Sequence, residues 1–364
     1  MKKILPLTIA FFLCAQTVWA GRARINTVSA EPYASALVIN ADTGQTLFAD
    51  QADKTVYPAS VLKLMVLLTI LDLTDVGVVH LDDMVQITDE AYKMGGSQVY
   101  LDPSEQFTVD DLLYALMVQS ANDAAVALAT HVAGSKEAFV DLMNQKARDL
   151  GMKHTQFYSV HGLPPATGQR VDVTTARDFA KLCRELAKRP KVFQYTSARV
   201  KNFRDGKFIM RNHNHLLGKL PGCDGFKTGY FEAAGFSIAA TAKRKGVRLI
   251  ALVMGSKDRK VRDAKAIELL NKGFIQTPVK AAPEKTVQAP VSHVQSAEIT
   301  PKKTSTAAAG PSAHVEKKIQ PVQKEKSCLK SFLLGILTGL AFFAAASLFV
   351  IKKRTKRNTR RTRL

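Results

Sequence analysis

Two short runs rich in small and branched residues, Tyr33–Asn40 and Gln45–Asp50, flank the turn sequence Asp42-Thr43-Gly44 and predict a β-hairpin. Near the other end, Gly235–Thr241 and Val247–Met254 enclose Lys243-Arg244-Lys245-Gly246 and predict a second hairpin. Ala264, Ile267 and Leu270 then recur at helical spacing within Val261–Gly273. Between the hairpins, residues 86–190 read as mostly helical, with Val109–Val118, Asp123–Val132, Lys136–Leu150 and Thr174–Lys188 the clearest segments. Ser60–Leu68 is apolar nearly all round, the pattern of a buried helix. The economical fold is α+β: an antiparallel sheet assembled from both chain ends and flanked by helices, with a mostly helical insertion between its halves.

Two apolar runs fall outside that pattern. Residues 1–20 combine Lys2 and Lys3, an apolar run from Ile4 to Ala15, and Val18-Trp19-Ala20, which predicts a cleaved export signal. Ser331–Ile351 holds 21 residues without a charge, long enough to cross a bilayer, and a basic tail follows at 352–364. By the positive-inside rule the tail is cytoplasmic and everything before residue 331 lies outside. Residues 276–330 form a linker rich in Pro, Ala and Lys that lacks an apolar period, leaving 21–275 as the catalytic domain.

This division also explains the charge. The formal net charge is +21, but two lysines at the start, a surplus of five in 276–330 and one of eight in the tail leave +6 for residues 21–275. A domain that close to neutral gives a nucleic-acid partner little support. Export would leave Cys183, Cys223 and Cys328, too few and too scattered for a disulfide scaffold; a Cys183–Cys223 bridge and two separately buried thiols both remain open. His213 and His215 alternate with asparagines, but no acid or cysteine stands at a zinc spacing, so neither a metal nor a cofactor is expected.

The chemistry concentrates in three short motifs. Ser60 and Lys63 share one face near the start of the apolar helix, where a lysine is costly unless its charge is paired or its pKa falls. Alone the spacing says little, since Ser327 and Lys330 repeat it in the linker. Ser120-Ala121-Asn122 lies between two helical segments, where hydroxyl and amide can point into a cleft. Lys227-Thr228-Gly229 approaches a strand, where glycine admits a ligand beside the backbone. Ser-x-x-Lys, Ser-x-Asn and Lys-Thr-Gly in this order make the set used by active-site-serine penicillin-recognising enzymes.

Around these motifs, Leu112–Ala125, His161-Gly162-Leu163 and Asp224–Tyr230 resemble the low-molecular-mass penicillin-binding proteins of the serine D-alanyl-D-alanine carboxypeptidase type over about residues 27–275. The resemblance implies a penicillin-binding-protein/β-lactamase-like fold that hydrolyses peptidoglycan stem peptides and takes β-lactams as covalent inhibitors. It implies Ser60 as nucleophile and Lys63 as base, with Asn122 holding Lys63, Ser120 relaying a proton, and Lys227 stabilising the Ser120 hydroxyl and local negative charge. Thr228 would hold the terminal carboxylate, the N–H groups of Ser60 and Tyr230 would line an oxyanion hole beside Gly229, and Arg262 would favour an anionic substrate end. His161 is either a substrate-binding residue or a histidine packing a loop. Phe231 stands where many members have a small hydroxyl residue, which bears on substrate preference. No Glu-x-x-Leu-Asn context surrounds Glu137 or Glu185, which disfavours a β-lactamase. A crosslink-cutting endopeptidase and a catalytically silent wall-binding tether are the remaining readings.

Overall fold

The computed structural model describes residue 23 and residues 25–277. In chain order the strands are β1 (Ser35–Asn40), β2 (Thr46–Asp50), β3 (Met84–Gln86), β4 (Gln106–Thr108), β5 (Val200–Phe203), β6 (Phe208–Arg211), β7 (Cys223–Phe231), β8 (Gly235–Arg244) and β9 (Val247–Ser256). The helices are α1 (Lys63–Asp75), α2 (Asp89–Tyr92), α3 (Val109–Tyr114), α4 (Asn122–Ala133), α5 (Lys136–Asp149), α6 (Ala176–Ala187), α7 (Pro190–Thr196) and α8 (Arg259–Gln276).

Both chain ends of the described region build one antiparallel sheet in the order β2-β1-β9-β8-β7. The register of β1 on β9, with Leu37 opposite Leu252 and Ala36 opposite Val253, joins residues more than two hundred positions apart. Every residue of β9 is buried, because the sheet is covered on both faces. Alternation sorts its side chains: Leu252 and Met254 join the large core containing α1 and α4, whereas Ala251 and Val253 face Leu269 and Leu270 of α8. Side-chain oxygens cap the helices where the sequence supplies them, as Thr108 does for α3 and Asp258 for α8.

The structure refines the sequence pattern in three places. The helical run at 109–118 is divided into α3 and a wider π turn at Ala115–Gln119, which stops at Ser120 in the left-handed region with φ 61°. The short ladders β3–β4 and β5–β6, and α7 begun by Pro190, gave too little periodicity to be predicted. Cys183 and Cys223 are both free thiols, so the bridge left open by the sequence is not formed.

The export signal, most of the linker, the apolar run 331–351 and the basic tail lie outside the described residues. Among the described residues no helix is long and apolar enough to cross a membrane.

Candidate active site

The apolar sequence of α1 buries it on all sides from Lys63 to Leu71 and carries Lys63 into the interior with no exposed surface. Ala59, at φ 48°, turns the chain into a short 3-10 segment, Ala59–Leu62, that runs into α1 and presents Ser60. This backbone conformation is disfavoured for an alanine and is held by what packs on it. Gly162 lies so close that a Cβ there would sit 2.3 Å from the Ala59 carbonyl oxygen. On the other side, a Cβ on Gly229 would sit 2.8 Å from both Pro58 O and Ser60 N. The glycine of Lys-Thr-Gly thus lets β7 lie directly against the segment that carries Ser60.

Lys63 Nζ lies 2.9 Å from Ser60 Oγ, 2.8 Å from Asn122 Oδ1 and 2.7 Å from the carbonyl oxygen of His161. Burial, and then the charge of Lys227, push its pKa well below the ordinary lysine value, with Asp123 and Asp172 opposing. An amine held neutral there can accept a proton from Ser60. Asn122 is itself fixed: its Nδ2 donates to Gly95 O at 2.7 Å, and its backbone N–H donates to Ser97 O at 2.8 Å.

Lys227, on β7, is 2% exposed, and its Nζ donates to Thr228 O at 3.1 Å. Burial, followed by the charge of Arg262, lowers its pKa to about 7. The start of β7 is anchored by a bidentate pair between Arg248 and Asp224, both bonds 2.7 Å, with the Arg248 guanidinium 4.0 Å from the Phe193 ring centroid.

A cleft of about 330 Å³ opens over these groups, lined by Ser60, Ser120, Thr228, Gly229, Tyr230 and Arg262 among others. Ser120, at φ 61°, reaches it because the π turn ends there. Tyr230 is exposed and stacks on Phe236 at a centroid distance of 4.1 Å. Arg262 is buried, donates to Asp263 Oδ1 at 2.9 Å through Nε and to Ser237 O at 3.3 Å through Nη1.

Two residues singled out in the sequence have side chains outside the cleft lining, and for His161 this is the loop-packing arrangement, one of the two left open. The ring of His161 does not line this cleft; its Nδ1 accepts from Leu163 N at 3.1 Å, and burial, then Lys63, hold its pKa down at about 3. What His161 gives the site is its main-chain carbonyl. Phe231 is buried, stacked on Tyr57 at 6.0 Å in a small apolar cluster with Ala59, so it supports the Ser60 segment and is not among the residues lining the cleft.

Asp172 and Ser159 were not evident in the sequence. Asp172 is buried; its Oδ1 accepts from Tyr158 N at 2.6 Å and Ser159 N at 2.9 Å, and its Oδ2 accepts from Ser159 Oγ at 2.7 Å. Ser159 Oγ in turn accepts from Gly162 N at 2.9 Å. The carboxylate therefore braces the loop that delivers His161 O to Lys63. A lone aspartate after a Gly/Pro-containing loop carries no sequence signal of this role.

A family model for D-alanyl-D-alanine carboxypeptidase matches residues 23–258. The chain is 37% identical over 245 residues to the D-alanyl-D-alanine carboxypeptidase DacF of Bacillus subtilis, covering 66% of this chain and 62% of the relative. It is 33% identical over 226 residues to a D-alanyl-D-alanine endopeptidase of Pseudomonas aeruginosa, covering 60% of this chain and 70% of that one. The chain thus spans about three fifths of the length of the Bacillus relative. Among solved structures, penicillin-binding protein 6B of Escherichia coli superposes with a TM-score of 0.62 at 32% identity, covering 71% of this chain and 80% of that one. The ampicillin-bound form of penicillin-binding protein D2 of Listeria monocytogenes superposes with a TM-score of 0.61 at 29% identity, covering 67% of this chain and 98% of that one.

Proposed function

The chain belongs to the D-alanyl-D-alanine carboxypeptidase family, and we propose that it hydrolyses the terminal D-alanyl-D-alanine bond of peptidoglycan stem peptides through an acyl-enzyme on Ser60. The observation that carries this reading is Lys63 Nζ, buried and 2.9 Å from Ser60 Oγ. Ser60 gives its proton to neutral Lys63 and attacks the carbonyl of the penultimate D-alanine. The oxyanion is held by the N–H groups of Ser60 and Tyr230. Ser120 passes a proton to the departing amine, with Lys227 steadying its hydroxyl, and Thr228 and Arg262 receive the terminal carboxylate. Water then attacks the acyl carbon and frees Ser60.

The ring of a β-lactam offers the same carbonyl to Ser60, so penicillin acts as a covalent inhibitor. Residues 1–20 direct export, residues 331–351 tether the catalytic domain to the membrane, and the basic tail stays in the cytoplasm. The apolar length and the one-sided charge of those segments support this topology. Incubating the protein with a stem pentapeptide and reading products by mass spectrometry tests the reaction: loss of one alanine is expected, absent in Ser60→Ala. Cleavage only of a crosslinked dimer would move the assignment to an endopeptidase, and penicillin labelling without turnover of either substrate would reduce the protein to a wall-binding tether.

A further inference from the structure

Arg204-Asp205-Gly206 turns the chain between β5 and β6, with φ 50°, 53° and 85° in succession. An arginine in the left-handed region is disfavoured and is held there by what it binds. Its guanidinium lies 5.0 Å from the Phe203 ring centroid and 5.3 Å from that of Phe107. Nε donates to Glu105 Oε1 at 2.6 Å and Nη2 to Glu105 Oε2 at 2.7 Å, a bidentate pair. Its remaining bonds go to the backbone of residues 97–101, whose first member, Ser97, lines the catalytic cleft. Nη1 donates to Val99 O at 2.6 Å and Nη2 to Tyr100 O at 2.7 Å.

The same segment is held through its N–H groups by Asp123, which is buried at the start of α4: Val99 N and Leu101 N each donate to its Oδ2 at 3.1 Å. The peptide group joining Tyr100 to Leu101 therefore receives a guanidinium N–H at its carbonyl and gives its own N–H to a carboxylate. The cation at one end polarises the peptide and strengthens its donation at the other. Burial raises the pKa of Asp123, and the backbone N–H groups, that of Leu101 foremost, oppose the rise. Asp123 directly follows Asn122, whose N–H donates to Ser97 O, whose Nδ2 donates to Gly95 O and whose Oδ1 accepts from Lys63. A Cβ on Gly96 would stand 2.7 Å from Asn122 Nδ2. A shift of residues 95–101 is thus a shift of Asn122.

We propose that Arg204 is a positioning residue for acylation: by fixing Val99 and Tyr100 against Asp123, it holds Asn122 at the amine of Lys63. It is not among the residues that line the cleft, and it acts only through the segment it clamps. Losing the clamp has a signed effect on Lys63. The titratable groups facing that amine are Lys227 on β7, Asp123 on α4, Asp172 before α6, and the rings of His161 and His213. Of these, among the described residues, Asp123 is the one bonded to the clamped segment. Asn122 Oδ1 and the Asp123 carboxylate both favour the ammonium form, so loosening them lowers the Lys63 pKa further. Acylation then slows because the base is misplaced, and its rising limb moves to lower pH.

This inference rests on the reading of Ser60 as the acylated nucleophile and Lys63 as its base, and the test separates the two. The full chain, Arg204→Gln and Arg204→Lys are mixed with a fluorescent penicillin in stopped flow between pH 5 and 10. That measurement resolves the affinity of the noncovalent complex from the rate of acylation within it, and a thermal melt gives the folded fraction. Arg204→Gln should acylate about tenfold more slowly within the complex, with affinity inside about twofold of the parent and the rising limb at lower pH. Arg204→Lys keeps a charge beside Glu105 but offers one nitrogen where three were bonded. It should be slowed about threefold with the limb moved the same way and a melting temperature near the parent's, so the test survives if the glutamine variant does not fold. A structural role alone would scale the whole pH profile by the folded fraction and leave the limb in place. That result, or folded variants that acylate within about twofold of the parent, would overturn the positioning role and leave Ser60 and Lys63 standing. A parent that penicillin does not label would overturn the acyl-enzyme reading and the clamp with it.

Discussion

At the scale of single residues the site depends on two lysines that share a cleft and differ in what they touch. Lys63 is bonded to Ser60, Asn122 and His161 and burial pushes its pKa well below the ordinary lysine value, whereas Lys227 sits on a strand and is lowered to about 7. On the proposed mechanism the base is neutral when it acts and Lys227 is charged, so acylation should rise as Lys63 loses its proton, well below the ordinary lysine range, and fall again as Lys227 loses its own near pH 7. The rate of penicillin acylation between pH 5 and 10 measures this bell. Lys227→Arg keeps a charge that cannot be surrendered, so the falling limb should disappear while measurable acylation persists; a limb that stays near pH 7 would assign it to another group. Lys63→Arg should slow acylation by about a thousandfold or more, in the range general base catalysis supplies. The three motifs were readable from residue type, order and spacing. Asp172 and the role of the His161 carbonyl were not, because one holds backbone N–H groups of a loop and the other is a backbone acceptor, and backbone groups leave no trace in side-chain chemistry.

At the scale of elements, position comes from close backbone contacts. The Ala59–Leu62 segment is clamped between Gly162 and Gly229, each at a distance no Cβ tolerates. Gly162 also has φ 74°, so Gly162→Ala should combine strain with displacement of Ser60 and cost acylation about a hundredfold, the penalty of a shift near 1 Å. Penicillin labelling against a thermal melt reads it: a lower melting temperature with an unchanged labelling rate would mean that the glycine serves stability alone. The loop behind Lys63 gives a sharper test. Burial raises the pKa of Asp172 to about 6, so below that pH its carboxyl is neutral and Asp172→Asn resembles it. Above pH 6 the asparagine lacks the second acceptor that Ser159 Oγ uses, and acylation should fall about tenfold relative to the parent, with the two profiles converging toward pH 5. Long elements such as α4, α5 and α8 were legible because their apolar faces repeat over several turns. The π turn before Ser120 was not, since Ala115–Gln119 is as apolar as the helix it interrupts and leaves no break in the pattern.

At the scale of the whole molecule the sheet is completed only when the last elements arrive, and this sets where the domain can be cut. The family match ends at Asp258, just before α8. Yet Leu269 and Leu270 of that helix are almost wholly buried against Val38, Leu249, Ala251 and Val253, and Arg262 reaches the cleft from its first turns. Removing two buried leucines withdraws about 3–6 kcal/mol and bares an apolar sheet face, against a total stability of about 5–15 kcal/mol for a domain. A chain ending at Asp258 should therefore be insoluble or unlabelled by penicillin. A chain ending at Thr277 keeps every cleft residue and both covers of the sheet, and should be acylated within about twofold of the full-length rate. Expressing the two truncations and comparing their solubility and labelling decides the matter. If the shorter chain were soluble and acylated as fast as the longer, α8 would be dispensable to both core and site, and neither the sheet's second cover nor the placing of Arg262 at the cleft would matter for acylation.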